Sequence, residues 1–225
     1  MPYPPGHRDA IKERIVASAR RLFNRHGFEG VSVDRIMSGA GLTRGGFYSY
    51  FESKSELYTE VLGCFFTDPE WKSCWEGIEV DLKSNNVGPQ VVRAYLSRQH
   101  FEDVENSCPM VALPGDVTRG GAEARRAFET VFEAMVCLLE RSLHHGAGRA
   151  RTQVTRVPMS KPGMPRSSKG AYRKNDGRHG IAQAMAALCI GGMVVARALD
   201  NRGLADDLRD SCMSVAFELA GWKAK

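Results

Sequence analysis

VSVDRIMSGAGLTRGGFYSYFESKSEL, residues Val31 to Leu57, is the stretch on which the fold turns. Val33, Ile36, Met37 and Ala40 recur at helical spacing and make one apolar stripe. Ser32 stands just before the stripe, where a hydroxyl accepts from the free amides of a first turn. Gly41 follows the last periodic residue, where a left-handed backbone is often required and only glycine is unstrained. Thr43 is a second N-cap candidate, and Arg44, Gly45 and Gly46 open the next helix with almost no bulk. That helix carries Phe47, Tyr48, Tyr50 and Phe51 and is expected to end near Glu52. Ser53 and Glu56 form a capping box, S-x-x-E, for the helix after it. Two short helices, a tight turn and a third helix start make a helix-turn-helix, a shape that fits the DNA major groove.

Upstream, Ile11, Ile15, Val16, Ala19, Leu22 and Phe23 mark the buried stripe of a longer helix, about Arg8 to His26, stopped by Gly27. With this helix the pattern is complete, and residues 9–63 resemble the head of the tetracycline-repressor (TetR) family of bacterial regulators. The resemblance rests on Ala19, Leu22, Phe23, Gly27, Val33, Ile36, Ala40, Gly41, Thr43, Gly45, Tyr48, Phe51, Lys54 and Leu57. The departures are Met37-Ser38-Gly39, at the end of the second helix, and Gly46-Phe47, where a larger polar residue and Leu are common. The resemblance implies an all-α fold, with a DNA-binding head over residues 1–63. An effector-binding and dimerisation body would span residues 64–225.

Composition narrows the function less than the motif does. The formal net charge is +5, but Gly146 to Gly180 holds nine Lys/Arg and one Asp, leaving 22 Lys/Arg against 25 Asp/Glu elsewhere. The basic balance therefore comes from one segment, and a DNA-binding reading has to rest on the head. Residues 146–180, rich in Pro, Gly, Ser and basic side chains, are expected to form a flexible basic loop. Cys64, Cys74, Cys108, Cys137, Cys189 and Cys212 show no C-x-x-C spacing, and the opening MPYPPGHRDA has no apolar core of a secretory signal. Reduced thiols in a cytoplasmic protein are the expectation. Ile181 to Ala196 is short of the roughly 20 residues of a membrane span. No metal, cofactor or catalytic constellation is expected: His144 and His145 are adjacent, and no G-x-S-x-G, H-E-x-x-H or phosphate loop occurs in a strand-to-helix setting.

By the resemblance, the expected partners are a double-stranded DNA operator, a small-molecule effector and a second copy of the chain. Ser32, Thr43, Arg44, Gly45, Gly46, Tyr48, Tyr50 and Lys54 are the candidate DNA-binding residues. Arg44, with a planar fork that matches a guanine edge, is the expected base reader. Tyr48 and Lys54 are expected on phosphates, which position the protein without reading sequence. Trp71, Trp75, Tyr95, Phe101, Cys108, Met110, Phe128, Phe132 and Met135 are candidates for a mainly apolar effector pocket, although aromatic and Met residues at helical spacing also make plain core. Cys108 opens a segment after the acidic stretch Glu102 to Glu105, and those neighbours disfavour a reactive thiolate. A cysteine-based redox or electrophile sensor is the alternative regulator, and an enzyme body fused to the head is the alternative class. Helix 179–199 is apolar on two faces. Ala182, Ala186, Cys189, Met193 and Ala196 are assigned to the dimer interface, with Leu208 and Val215 of the last helix, because small residues permit close helix approach.

Overall fold

The structure, a computed structural model, describes residues 6–63, 80–81, 84, 86–143 and 177–223. All regular elements among them are helical. In the head, α1 (His7–His26) is followed by α2 (Val33–Gly39), a 3₁₀ turn η1 (Arg44–Ser49) and α3 (Lys54–Gly63). Gly27, with φ 70°, turns the chain out of α1 while its N–H still bonds the carbonyl of Phe23. Ser32 Oγ accepts from the N–H of Arg35 at 3.2 Å, the cap its position implies. Gly41 has φ 67°, the left-handed conformation that the turn requires.

The third element differs from expectation. It is a 3₁₀ turn, and it ends at Ser49 rather than near Glu52. Gly45 and Gly46 contribute little α-helical preference, and the tighter i to i−3 pattern is common in short connecting pieces. The N–H of Tyr50 bonds the carbonyl of Phe47 at 2.9 Å to close it.

The body contains α4 (Val87–Tyr95), α5 (Arg98–Glu102), α6 (Pro109–Ala112), α7 (Pro114–Arg119), α8 (Ala122–Leu143), α9 (Arg178–Ala198) and α10 (Arg202–Ala220). Phe101 belongs to a separate helix, α5, set off by the Ser97 cap that accepts from the N–H of His100. Helix α9 begins at Arg178, so the final residues of the expected 146–180 loop are helical. The loop's remaining residues up to 176 lie outside the described residues, as do Trp71, Trp75, Cys64 and Cys74.

Two apolar cores hold the chain together. One lies within the body and joins α4, α8, α9 and α10; the other is centred on Ile15, Phe23, Ile36, Met37, Phe47 and Leu57 of the head. The head core does not close at residue 63. Leu113, Val117 and Ala124, supplied by the segment from α6 to α8, are buried in it. Phe128, one turn further along α8, packs against both cores.

The orientation of α9 corrects the dimer assignment. Ala182, Ala186, Cys189, Met193 and Ala196 are fully buried within the chain's own body core. Small side chains do permit close approach here, but to α10 of the same chain: a Cβ at Gly192 would stand 2.7 Å from Cys212 Sγ. The face left uncovered carries Ala184, Ala187, Gly191, Val195 and Ala198, with Val195 half exposed. Leu204, Val215 and Leu219 are exposed on α10, and Leu208 is partly so. Helix α9 is long and apolar enough, by length and composition alone, to cross a membrane. Burial on one side and this open stripe on the other account for its apolarity.

Candidate nucleic-acid interface and its link to the body

Around η1 the chain exposes Thr43, Arg44, Gly45 and Tyr48 in close succession, with Tyr48 63% exposed over the edge of buried Phe47. Thr43 makes no side-chain cap bond. The Arg44 guanidinium lies 3.1 Å from Asp34 at the start of α2, and both side chains are largely solvated. Such an exposed pair is worth little, about 0.2–1 kcal/mol, so it aims the guanidinium without trapping it. Tyr50 is half-buried, with the Arg8 guanidinium 5.7 Å from its ring centroid, and Arg8 also donates to the carbonyl of Ser49 at 2.8 Å. Ser32 is occupied as the α2 cap.

Gly45 has no left-handed backbone, and a Cβ built on it would meet nothing within 4 Å. At Gly46 the nearest atom, Met37 Cε, is 3.7 Å away, an ordinary contact. Neither backbone conformation nor packing inside the chain therefore requires glycine at these positions.

Lys54 has a role the motif alone does not reveal. Its ammonium donates to the carbonyls of Phe28 at 2.9 Å and Val31 at 3.0 Å, and it sits 4.2 Å from the Phe28 ring centroid. It ties the start of α3 to the turn between α1 and α2, a structural role that competes with the phosphate contact expected of it. The S-x-x-E pattern is realised in its first half, while the Glu56 carboxylate takes the amide one residue before the cap. Ser53 Oγ accepts from the N–H of Glu56 at 3.1 Å, and the Glu56 carboxylate reaches back to the N–H of Glu52.

The head is fastened to the body by polar groups at the end of α1. Asn24 Nδ2 donates to the carbonyls of Glu105 (3.0 Å) and Ser107 (2.9 Å). Asp116 of α7 accepts from the N–H of Phe28 at 2.9 Å. Ser107 belongs to a loop clamped from the other side by Arg197 of α9. The Arg197 guanidinium donates to Ser107 Oγ at 3.0 Å, to the Phe101 carbonyl at 3.2 Å and to the carbonyls of His100 and Asp103. Asn24, Ser107 and Arg197 thus form a short polar path from the head to α9. Sequence reasoning passed over all three, since an Asn near a helix end and an Arg on an apolar helix carry no local signal.

His100 braces the same loop. Its Nε2 accepts from the N–H of Cys108 at 3.2 Å, so its Nδ1 carries the proton donated to the Tyr95 carbonyl at 2.6 Å. Burial pushes its pKa down to about 3, which keeps the ring neutral.

The effector candidates divide. Tyr95, Phe101, Cys108, Met110 and Met135 are buried as close-packed body core, whereas Phe128 and Phe132 are only partly buried. Cys108 is fully buried, and its thiol pKa is raised to about 12, chiefly by desolvation rather than by the acidic stretch before it. Cys137 is the exposed free cysteine among the described residues. A cleft of about 380 Å³ lies elsewhere, between head and body, and none of the seven described candidates lines it.

A three-helix head presenting a short exposed turn, fastened to a helical body, is the layout of a helix-turn-helix protein. Residues 15–61 match the family model described as bacterial regulatory proteins, tetR family. The HTH-type transcriptional regulator YerO of Bacillus subtilis is 41% identical over 102 residues, 45% of this chain and 34% of that relative. YfiR of the same organism is 27% identical over 104 residues, 43% of this chain and 51% of the relative. The matches thus span between about a third and a half of these curated relatives. A TetR-family regulator from Cytophaga hutchinsonii superposes with a TM-score of 0.63 at 17% identity, over 99% of this chain and 100% of that one, a likeness of fold. Residues 15–61 thus carry the head of the tetR family of bacterial regulatory proteins, and the rest of the chain shares the fold of such regulators.

Proposed function

We propose that the chain is a cytoplasmic, homodimeric repressor that occupies a palindromic operator through η1 of each head and leaves it when a mainly apolar small molecule binds the body. The observation that carries the DNA-binding reading is Gly45. No constraint inside the chain calls for glycine there, and a bare backbone lets the turn come close to a duplex. Arg44 then reads a base edge, Tyr48 and Thr43 engage phosphate, and Gly46 keeps the approach open. Two heads address successive major grooves about 34 Å apart.

Dimerisation uses the uncovered stripe of Ala184, Ala187, Gly191, Val195 and Ala198 together with Leu204, Leu208, Val215 and Leu219. Exposed apolar side chains on two packed helices suit a self-complementary interface of two helices from each copy. Repression is favoured over activation because occupancy alone blocks a promoter. The effector contacts Phe128 and Phe132. Phe128 touches both cores, so a ligand displacing it also disturbs the head. A differential affinity equivalent to about 1–3 kcal/mol is enough for a useful switch. The thiol-sensor reading is weakened at Cys108, since a fully buried thiol with a raised pKa is a poor nucleophile.

The test is selection of genomic fragments by the purified full chain, followed by footprinting. The expected result is an enriched palindrome with protection in two successive major grooves. Retention that follows fragment length and salt alone, with no shared sequence, would overturn the reading.

A further inference from the structure

The cleft of about 380 Å³ has walls from two bodies: Phe28, Glu29 and Tyr58 belong to the head, and Asp116, Arg119 and Glu123 to α7 and α8. Its volume falls within the range of about 300–1,000 Å³ that small-molecule sites take. The charges are lopsided. Glu29, Asp116 and Glu123 face one guanidinium, Arg119, which is already bonded to Asp116 at 2.7 Å. An anion is therefore repelled and a monocation drawn in. The Phe28 and Tyr58 rings meet edge to face, with centroids 4.9 Å apart, and give the cleft an apolar wall. Tyr58 is 3% exposed, and its hydroxyl is shielded from water with no hydrogen-bond partner. An unpaired buried hydroxyl is costly, and a bound donor would relieve that cost. The fields of Asp116 and Arg119 both reach this phenol, so it lies beside the cleft's charged groups.

We propose that this cleft binds a small protonated amine with an apolar body, and that occupancy resets the head against the body. The hydroxyl of Tyr58, closed to water in the ligand-free chain, opens to the ammonium as the head resets and accepts from it, while Asp116 and Glu123 balance the charge. The apolar body lies against Phe28. Asp116 is also the acceptor that holds the Phe28 amide, so an ammonium competes directly with the latch between the two bodies. A ligand whose contacts are divided between two bodies necessarily favours some relative orientations over others. The consequence for operator affinity rests on the repressor reading; binding itself does not.

The experiment titrates the full chain, free of DNA, with phenethylamine and with its neutral and anionic counterparts, 2-phenylethanol and phenylacetate. Calorimetry and amide hydrogen exchange are the readouts. Phenethylamine is expected to saturate at one per chain and to speed exchange of the Phe28 amide. The alcohol should bind about tenfold more weakly, the scale of one lost charge-assisted hydrogen bond, and phenylacetate not at all. Tyr58→Phe and Glu123→Gln should each weaken the amine by about five- to tenfold. Tyr58→Phe removes only an unpaired oxygen and Glu123 is exposed, so both variants fold. Absence of amine binding, equal affinity for all three probes, or undiminished affinity in both variants would overturn the proposal. None of those results touches operator binding, which fragment selection measures on ligand-free protein.

Discussion

Asn24 of the head donates to the carbonyl of Ser107 in the body at 2.9 Å, and the hydroxyl of that same serine accepts from Arg197 of α9 at 3.0 Å. One residue thus receives bonds from both directions. Asn24→Ala and Arg197→Ala are therefore expected to be non-additive. Each should destabilise the chain, and a double-mutant cycle read by denaturant unfolding should give a coupling of about 0.5 kcal/mol or more. Strict additivity would mean that the two bonds act independently.

Glycine at position 45 separates a structural role from a binding role. Gly45→Ala should leave the fold intact and raise stability by up to about 1 kcal/mol, because Ala loses less backbone entropy. Operator affinity should fall nonetheless. Arg44→Ala should weaken specific binding by about 1–3 kcal/mol and relax preference at one base position. Unchanged operator affinity in Gly45→Ala would remove close backbone approach from the account.

Lys54 offers a contrast in salt dependence. A lysine that neutralises a phosphate changes the slope of log affinity against log salt by about one when it is removed. Lys54→Met should lower the melting temperature of the head and leave that slope unchanged, since the ammonium is bonded to the carbonyls of Phe28 and Val31. A slope reduced by one with unaltered stability would restore the phosphate role.

The two sides of α9 should respond differently to a buried charge. Val195→Asp and Leu204→Asp are expected to give folded monomers by light scattering with retained helical circular dichroism. Met193→Asp should instead unfold the body, because the new carboxylate enters a closed core without a partner. Dimers persisting in both exposed-face variants would put the interface elsewhere.

His100 predicts a direction for acid sensitivity. Its folded pKa of about 3 lies below the ordinary 6.5, so the unfolded chain binds the extra proton between those values. Its contribution is fully present above pH 6.5 and is lost as pH falls toward 3, at up to about 1.4 kcal/mol per pH unit. In His100→Asn this part of the slope should vanish, though the variant is less stable at neutral pH. Parallel stability curves for the two proteins between pH 6 and 4 would contradict the assignment.

The elements legible in the sequence are those whose cause is local. Ser32 and Gly41 bound α2 because a cap and a left-handed turn have residue-type signatures. The failures have a different origin. Periodicity identified two apolar faces on α9 but could not say which one its own chain would cover, because both are equally oily. Small side chains suit a partner helix and a neighbour in the same chain alike, and Gly192 makes room for Cys212. Aromatic spacing cannot distinguish 3.0 from 3.6 residues per turn over six residues, so the sequence does not reveal that η1 is a 3₁₀ turn ending before Glu52. The cleft and the Asn24 bonds join residues roughly 30 to 90 positions apart, a proximity that no single window of sequence contains.

Leu113, Val117 and Ala124 sit in the core of the head although they come from the other half of the chain. The reading unit is consequently not portable at its sequence boundary. A transplant of residues 1–63 onto a foreign scaffold leaves the head core missing part of its apolar cover, and the graft carries a sticky patch in place of a finished surface. Exchange of specificity between relatives has to move η1 alone, or else the head together with the α6 to α8 segment that seals it.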